Sequence, residues 1–577
     1  MLALAPSAWA GPAKRGGGAG SAITSTFTKA VVATSTNPVP VSSLGERPAG
    51  FRLKARQAER IAARVPSILN MVRHHPGAYP AVYTDGAGQW QVSWFSRQGS
   101  ELGLVYVDDF TGQVTQAWTG FQVAWTMARG YPGSFGHNLN HVWVWIPFCL
   151  LFLAPFIPLP WPFPRRLRQN GPRWSLIQLD MAMLLGFSIS IAFFNHANLG
   201  LSVPLAYPFL LYALARMLLL AFGRGRPKAR LRLNMSAYAM VVLLAAMIGF
   251  RTYSNVKDSG VIDVGYAGVI GADRLLHGEK LYGTWPSSNP TGDTYGPVNY
   301  YAYIPFRAIF GWSGTWDSLP AGHAAAIAFD LLTMLALFLL GRRVRGPDFG
   351  VLLAYLWGAY PFTFYVLQSS SNDALVSLLL VLTLLAFTSK PGRGVFAALA
   401  GFVKFAQLAL APLFWRGVDD PPRGRKLLAF PISFALTSVI VMLPVILTGD
   451  LHRFWEDTIV RQVDRSSPFS IWGLWGGLSF EQHLVEGACI GLALLVAFVP
   501  RRRSIYDVAA LAAAVTIAFQ LGLTHWFYLY IVWFFPLVTF ALLGSAPADG
   551  AGATEIAGTS AGGVAPVPLI AAPAQST

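Results

Sequence analysis

Residues 260–306 read GVIDVGYAGVIGADRLLHGEKLYGTWPSSNPTGDTYGPVNYYAYIPF. This polar and aromatic segment lies between two apolar runs, Met235–Phe250 and Ala324–Leu340, which we interpret as membrane spans. It begins with a carboxylate, Asp263, on a short amphipathic pattern, and continues with glycines and aromatic residues. A carboxylate just beyond a span, followed by a loop rich in Tyr and Trp, indicates chemistry at a membrane surface.

The composition of the whole chain supports this interpretation. Of 577 residues, 54% are hydrophobic and only 12% are charged, and the mean hydropathy is +0.46. That charged fraction is about half of what soluble domains carry. Apolar runs long enough to cross a bilayer recur along the chain, which predicts an all-α polytopic membrane protein. The predicted spans are 142–159, 177–195, 201–222, 234–251, 321–341, 349–366, 372–388, 427–447, 485–500, 507–523 and 525–544.

The net charge of +16 has a topological explanation. The basic clusters occupy short connections between apolar segments, as cytoplasmic loops do, so we do not expect a nucleic-acid partner. The resulting topology has an external N-terminus, a cytoplasmic C-terminus and two long external loops, 252–320 and 448–484. The clusters are 164–173, 223–232, 342–345, 390–393, 423–426 and 501–503.

One apolar run does not fit a simple crossing. Residues 395–415 have basic residues at both ends and Lys404 in the middle. A lysine at the centre of a spanning helix costs roughly 2.5–3.5 kcal/mol on insertion scales. A re-entrant or broken helix pair with both ends cytoplasmic removes both conflicts. The prediction is therefore eleven spans plus one re-entrant element.

A small external α+β domain is predicted before the spans, at 49–135. Helical spacing of apolar residues covers 53–71, and alternating patterns at 89–95, 104–108 and 113–118 predict an antiparallel sheet. The segment VYVDDFTGQV, 105–114, resembles the PepSY family. That resemblance implies an inhibitory or docking role.

The predicted organisation has five parts. A signal remnant and linker, 1–48, and the PepSY-like domain precede a three-span extension, 136–233. The transmembrane catalytic domain follows at 234–544, and the tail, 545–577, is low in complexity and is predicted to be disordered and cytoplasmic.

Four segments, in this order and at these places in the topology, resemble the GT-C superfamily of polytopic glycosyltransferases. They are DVGYAGxxGAxxLLxGxxLY at 263–282, YGPVNYYAYIPF at 295–306, GFVKFAQLALAPLF at 401–414 and HWFYLYIVWFFP at 525–536. The closest similarity is to the polyprenol-phosphomannose-dependent mannosyltransferases, over about 234–544. The three-span extension and the PepSY-like domain have no counterpart in the minimal pattern of that group.

The resemblance implies a function. A sugar, mannose or arabinose, would pass from a polyprenyl-phosphate donor to a hydroxyl of a glycan or glycolipid of the cell envelope. The site would lie on the external side of a bacterial plasma membrane. The lipid-linked sugar is then a substrate, and no cofactor is expected. The sequence has no His/Cys/Asp cluster at metal spacing, and whether the reaction uses a divalent metal stays open.

Asp263 corresponds to the acid in the first external loop of the family. Sugar transfer to a hydroxyl needs a base for the proton, and a carboxylate near the membrane surface can act as one. An inverting transferase needs one such base, because no water has to be activated. One alternative is that Asp263 caps the helix that follows it. Another is that a neighbouring acid, Asp258, Asp273 or Glu279, is the base instead, although the amphipathic pattern places Asp273 on a solvated face.

A lipid-phosphate leaving group calls for cations on the same face. The candidates are Lys404, His525, Arg453, Arg461 and Arg465. Lys404 could instead snorkel or pair with a buried acid such as Asp373. His525 begins an aromatic segment that could be an interfacial belt, with Trp526 as its clearest member, and the arginines could lie on a solvated helix.

Three further side chains are candidates for substrate binding. Asp373 follows a short polar turn and could bind the acceptor or a metal, although an acid at the start of a span is ordinarily a helix cap. Tyr282 and Tyr295 could stack on sugar faces, with interfacial packing as the alternative.

Other functions remain as alternatives. A transporter or lipid flippase would also use many spans, a broken helix and Lys404, but the sequence shows no inverted repeat of broken segments. A PepSY-linked haem protein would need paired histidines inside spans, whereas His137, His141 and His196 lie near span ends. A non-catalytic sensor or scaffold is the third alternative.

Overall fold

The computed structural model describes residues 38–86, 88–130, 135–157, 175–227, 231, 233–418, 427–463 and 467–547. Several predictions from the sequence therefore concern residues outside these ranges. They are most of the N-terminal linker, most of the tail after 545, the basic clusters 164–173 and 423–426, part of the cluster 223–232, and Arg465.

The small N-terminal domain is a five-stranded antiparallel meander with two helices packed on it. The predicted strands at 89–95, 104–108 and 113–118 correspond to the third, fourth and fifth strands of this sheet. The two strands before them were not predicted. The predicted helix over 53–71 is two helices, because Pro66 starts a new one after the extended residue Val65. The elements are β1 Val39–Pro40, α1 Ala55–Ala63, α2 Pro66–His74, β2 Tyr79–Thr84, β3 Gln89–Phe95, β4 Glu101–Asp108 and β5 Val114–Thr119.

Asp109, from the segment that carries the PepSY resemblance, has a structural role in this domain. Its carboxylate is buried and accepts hydrogen bonds from the backbone nitrogens of Arg52 and Leu53, at 2.5 and 2.8 Å. It also accepts one from Trp90 Nε1 at 2.8 Å, and Trp90 is fully buried. Because buried polar groups need partners, this acid ties the strand β4 corner to the start of α1 and to the core.

The rest of the described chain is a helical bundle that confirms the predicted all-α membrane fold. Seven helices among the described residues are long and apolar enough to cross a membrane, or eight with a pair bent by 58° at Pro361. Three shorter apolar helices lie at other predicted spans. Together these helices lie at the positions of the eleven predicted spans, although the number of crossings stays a prediction.

The helices of the bundle and its connecting loops are numbered in chain order. They are α3 Phe121–Ala124, α4 Val142–Leu153, α5 Leu176–Leu185, α6 Phe187–Asn195, α7 Leu199–Ala221, α8 Ala237–Asp258, α9 Asp263–Leu276, α10 Pro297–Phe310, α11 Pro320–Arg345, α12 Pro347–Ala359, α13 Pro361–Gln368, α14 Asp373–Leu385, α15 Lys390–Gly401, α16 Ala411–Arg416, α17 Ala429–Leu447, α18 Leu451–Trp455, α19 Arg461–Val463, α20 Ile471–Leu474, α21 Ser479–Phe498, α22 Ile505–Gly522 and α23 Ile531–Gly544.

The three-span extension packs into the same core as the helices that follow it. Tyr355 Oη donates to the Leu151 carbonyl at 2.8 Å, and Tyr360 Oη donates to the Leu184 carbonyl at 2.7 Å. The hydroxyls of Ser190 and Tyr528 are also hydrogen-bonded, at 2.7 Å. The division at 233/234 stays a prediction about domains, but the packing is continuous across it.

Charged side chains inside the bundle are paired. Arg251 Nη2 lies 2.6 Å from Asp330 Oδ1, and Trp357 Nε1 donates to the same oxygen at 2.7 Å. Arg216, which weakens the sequence-based prediction of its span, lies 2.8 Å from Asp180. Pairing of this kind is what allows ionisable groups inside a membrane bundle.

The chain over 390–417 forms a hairpin, as the re-entrant interpretation requires. Helix α15 has 12 residues, about 18 Å, which is too short for a hydrocarbon core of about 30 Å. A 3₁₀ turn, Phe405–Leu410, then leads into α16. At the end of α16, Gly417 has φ +68° and lies so close to Arg393 that a Cβ would overlap the guanidinium. The hairpin therefore enters and leaves on one side of the bundle.

A neighbouring contact relates that side to the predicted topology. Arg416 Nη2 donates to the carbonyl oxygen of Arg501 at 3.4 Å. Arg501 belongs to the basic cluster 501–503, which the charge distribution assigns to the cytoplasm. Lys404 follows α15, at the tip of the hairpin and at the end remote from that cluster.

Candidate active site

Helix α9 carries the first segment of the GT-C-like pattern, and its glycines explain how it packs. They recur every third residue along one face of the helix. A Cβ at Gly265, Gly268 or Gly271 would overlap the Ser370 carbonyl oxygen, the Tyr303 ring or the Tyr300 ring, respectively. Only glycine permits so close an approach, so the spacing of the motif fixes α9 against its neighbours.

Asp263 is the first residue of α9. The preceding residue, Ile262, is extended and occupies the N-cap position, and its backbone nitrogen donates to the Ser369 carbonyl at 3.1 Å. Asn289 Nδ2 donates to the backbone oxygen of Asp263 at 2.9 Å. Asp263 is half-buried and stands in the first turn, where the helix dipole favours a negative charge. Because Ile262 occupies the N-cap position, Asp263 is not the cap of this helix. The role of Asp263 as a base stays a prediction.

Lys404 lies in an aromatic surrounding that we call the lysine cluster: Lys404, Asp373, Tyr295, Tyr530 and Trp533. Its Nζ is 3.9 Å from Asp373 Oδ1 and 4.8 Å from the centre of the Tyr295 ring. The rings of Tyr530 and Trp533 are each 5.8 Å away. The pairing with Asp373 that the sequence left open is thus present, and aromatic faces add cation–π attraction.

Asp373 is held firmly within this cluster. Its carboxylate is buried, and it accepts hydrogen bonds from Trp533 Nε1 and from Ser371 Oγ, both at 2.8 Å. The N-cap position of α14 belongs to Asn372, so Asp373, like Asp263, is the first helical residue and not the cap.

The four segments of the GT-C-like pattern meet around this cluster. Tyr295, Lys404 and Tyr530 come from the second, third and fourth segments, and the first reaches it through the turn 369–373. The Val298 nitrogen also donates to the Phe402 carbonyl at 3.2 Å, which joins the second segment to the third.

His525 lies next to the lysine cluster. Its Nδ1 is hydrogen-bonded to Ser467 Oγ at 2.8 Å, and its ring centre is 6.4 Å from that of Tyr530, which also faces Lys404. Trp526 differs from the prediction of an interfacial belt. It is 3% exposed and donates to Gln520 Oε1 at 3.0 Å, because its side chain turns into the bundle.

The arginines of the second long loop occupy different environments. Arg461 bridges two carboxylates, with Nη1 at 3.0 Å from Asp293 Oδ1 and Nη2 hydrogen-bonded to Asp457. Arg453 is 63% exposed and lies 3.4 Å from Glu456, as in the surface-helix alternative. Neither is in the lysine cluster, and Arg465 lies outside the described residues.

Asp293 is a functional candidate that sequence reasoning missed. Its side chain is fully buried and its carboxylate accepts a hydrogen bond from the Gly283 nitrogen at 3.2 Å. Burial and the neighbouring Asp457 raise the pKa of Asp293 to about 6, against the opposing effect of Arg461. The only sequence signal was an acid within a loop of aromatic residues.

The two tyrosines proposed to stack on sugars also differ. Tyr282 is 2% exposed, and its hydroxyl donates to the Tyr295 carbonyl at 2.9 Å. This position fits the packing alternative. Tyr295 is half-buried and faces Lys404, so its ring belongs to the candidate site.

An apolar groove begins at the residue after Lys404. Its volume is about 260 Å³, and it lies between the hairpin and the helices α21 and α22. The lining residues are Phe405, Ala406, Leu408, Ala409, Pro412, Ile490, Ala493, Leu494 and Phe519. Within the described ranges, no group of three or more His, Cys, Asp or Glu side chains is placed to hold a metal ion.

Residues 294–525 match the family model Glycosyltransferase family 87, a GT-C-like membrane family. The match covers less than half of the chain. It contains the hairpin, His525 and three members of the lysine cluster, Tyr295, Asp373 and Lys404, but it begins after Asp263 and Tyr282 and ends before Tyr530 and Trp533. No curated protein matches the chain. With the apolar helices, the match indicates a multi-pass membrane glycosyltransferase.

Proposed function

We propose that this protein transfers a sugar, mannose or arabinose, from a polyprenyl-phosphate donor to a hydroxyl of a cell-envelope glycan or glycolipid. The transfer takes place on the external side of a bacterial plasma membrane. One observation carries the proposal: Lys404 faces aromatic rings, and the next residue, Phe405, lines an apolar groove. An ammonium group at such a boundary suits a ligand with an anionic head and a long hydrocarbon chain.

The residues divide the reaction between them. Asp263 accepts the proton of the acceptor hydroxyl while the oxygen of that hydroxyl attacks the anomeric carbon of the donor sugar. The bond from that carbon to the phosphate oxygen breaks on the opposite face, and the electron pair leaves with the lipid phosphate. Lys404 stabilises the negative charge that develops on the phosphate, with His525 close by as a hydrogen-bond donor. One displacement of this kind inverts the anomeric configuration.

The turn 369–373 supports this division because it touches both functional ends. The Ser369 carbonyl accepts a hydrogen bond from Ile262, the residue before the base. Four residues later, Asp373 holds Lys404. A short turn therefore couples the position of the base to the position of the cation, which fixes the distance between acceptor and leaving group.

The test compares wild type with Asp263→Asn in liposomes supplied with radiolabelled polyprenyl-phosphate mannose or arabinose and envelope lipids. We expect transfer by wild type and a loss of about 10²–10⁴-fold in the variant, which is the usual contribution of a general base. Glu279→Gln is the matched control, since Glu279 follows α9 and its side chain is 58% exposed. It should retain wild-type rates.

Two outcomes would contradict the proposal. Equal transfer by wild type and Asp263→Asn would remove Asp263 as the base. An absence of transfer from every donor, together with movement of the lipid between leaflets, would favour the transporter or flippase alternative.

A further inference from the structure

A connector leads from the sheet domain into the bundle, and its described parts, 120–130 and 135–141, lie on the loops that form the candidate site. Gln122 Nε2 donates to the Ala197 carbonyl at 3.1 Å. Further on, the Asn138 nitrogen donates to Asp258 Oδ2 at 3.0 Å, and His137 lies against Gly260. Gly260 is three residues before the proposed base, Asp263. Three residues span at most about 11 Å, so the connector contacts the chain within about 11 Å of Asp263.

Trp125, in this connector, is part of the wall of the site. The centre of its ring is 5.7 Å from that of His525, with the planes inclined by 30°. It also meets the Phe469 ring edge to face at 5.2 Å. Trp125 is half-buried, so these contacts fix the indole without covering it completely.

A series of ring contacts links the lysine to Trp125. Tyr530 faces Lys404 at 5.8 Å, His525 lies 6.4 Å from Tyr530, and Trp125 lies beyond His525. Lys404 stands beside the apolar groove, which suits the lipid end of the donor. Trp125 lies at the other end of this series of contacts, on the connector that follows the sheet domain.

We propose that Trp125, supplied by the N-terminal region, is a binding residue for the acceptor sugar. Its indole face packs against the C–H face of a pyranose or furanose ring, and His525 lies at the edge of that platform. Sites for polar ligands commonly combine flat apolar surfaces with a few polar groups in this way. The inference rests on the proposed function, and it adds a substrate contact outside the segment that matches the family model.

The experiment measures sugar binding without any donor. Full-length protein in nanodiscs is titrated with methyl α-mannoside, methyl α-arabinofuranoside, methyl α-glucoside and methyl α-galactoside, and binding is followed by saturation-transfer NMR. We expect at least one glycoside to bind wild type, and Trp125→Ala to raise its dissociation constant about tenfold, a typical effect of removing an aromatic contact. Trp125→Phe should recover most of the affinity, because the aromatic face is retained.

Trp143→Ala is the matched control. Trp143 is 70% exposed and stacks on His141. Its removal should leave the dissociation constant unchanged. The proposal is overturned if no glycoside binds wild type, if Trp125→Ala binds as wild type does, or if Trp125→Phe and Trp125→Ala lose affinity equally. The transfer assay with Asp263→Asn is independent of this binding measurement, so failure of either hypothesis is recognised separately.

Discussion

Two buried ion pairs in this bundle differ in how completely they are satisfied. Arg251 and Asp330 meet at 2.6 Å, and Arg251 Nη1 also donates to the Gly358 carbonyl and to Thr363 Oγ1. Lys404 and Asp373 are 3.9 Å apart, and the ammonium faces aromatic rings. The side chain of Arg251 is 1% exposed, whereas that of Lys404 is 13% exposed.

The two pairs differ in separation and in exposure, and we expect them to differ in role. Both terminal nitrogens of Arg251 donate to protein groups, so its role is to hold helices α8, α11 and α13 together. Lys404 meets its acid at a longer distance, its side chain is more exposed, and aromatic faces line its ammonium group. The predictions below test this distinction.

The largest effect is expected for Arg251→Met. It leaves Asp330 buried without its cation, which costs about 3–5 kcal/mol, a large part of the stability of a typical domain. We expect little folded protein by size-exclusion chromatography and a much lower melting temperature. The double variant Arg251→Met/Asp330→Leu should recover most of the loss. A stable single variant would mean that the pair is not structural.

Lys404→Met should act on catalysis. We expect kcat/KM for the lipid-linked donor to fall about 10²–10³-fold, equivalent to about 3–4 kcal/mol of transition-state stabilisation. The melting temperature should fall by less than half as much as in Arg251→Met, since Asp373 keeps its bonds from Trp533 and Ser371. Lys404→Arg should retain part of the activity. If Lys404→Met lost stability and kept its specific activity, the two pairs would have the same role.

A third prediction concerns the pH dependence of the Asp293–Arg461 pair between the two long loops. The folded protein binds a proton at Asp293 up to pH about 6, well above its usual 3.8. Protonation of Asp293 is therefore linked to greater stability, which is gained as the pH falls from about 6 towards 4 and lost as it rises. At 1.36 kcal/mol per pKa unit, the linked free energy is at most about 3 kcal/mol.

Asp293→Asn imitates the protonated form, so it isolates this contribution. The difference in melting temperature, variant minus wild type, should decrease by a few degrees between pH 7 and pH 4.5. A difference that is independent of pH would show that Asp293 does not titrate in this range. Carboxylates remote from Asp293 are common to both proteins and cancel in the comparison, whereas Asp457 responds to the charge at position 293 and contributes to the measured difference.

The smallest effect is expected when one ring is removed from each pair. Tyr295→Leu removes the ring nearest to Lys404 and should raise the donor KM about threefold, since an exposed cation–π contact contributes about 0.5–1 kcal/mol. Phe364 lies 5.2 Å from the guanidinium of Arg251. Phe364→Leu should lower the melting temperature and leave KM unchanged. Equal changes in KM would remove the distinction between the two pairs.

The features that the sequence predicted well are those written within one segment. Hydropathy and charge placed the apolar helices, and the basic flanks of 395–415 indicated a hairpin with Lys404 at its tip. Asp373 was named as an alternative partner of Lys404, beside snorkelling, because an intramembrane lysine often pairs with a buried acid. The helix break at Pro66 was readable in the sequence but was overlooked.

The features that were missed depend on which distant segments meet. Asp293 and Arg461 are 168 residues apart, and Trp125 and His525 come from opposite ends of the described chain. Periodicity reports which face of an element is buried, and it carries no information about the partner of that face. Trp526 was misjudged for the same reason, since an aromatic side chain at a span end has the same pattern in the belt and in the core.

The hairpin at 390–417 also determines whether the number of membrane crossings between the two long loops is even or odd. An element that enters and leaves by the same face adds no crossing, so the two long loops remain in one compartment however long the hairpin becomes. One additional complete crossing at this point would place Asp293 and Arg461 on opposite sides of the membrane and would reverse the basic cluster at 501–503. The close approach of Gly417 to Arg393, which a Cβ would prevent, thus supports the predicted sidedness of everything that follows.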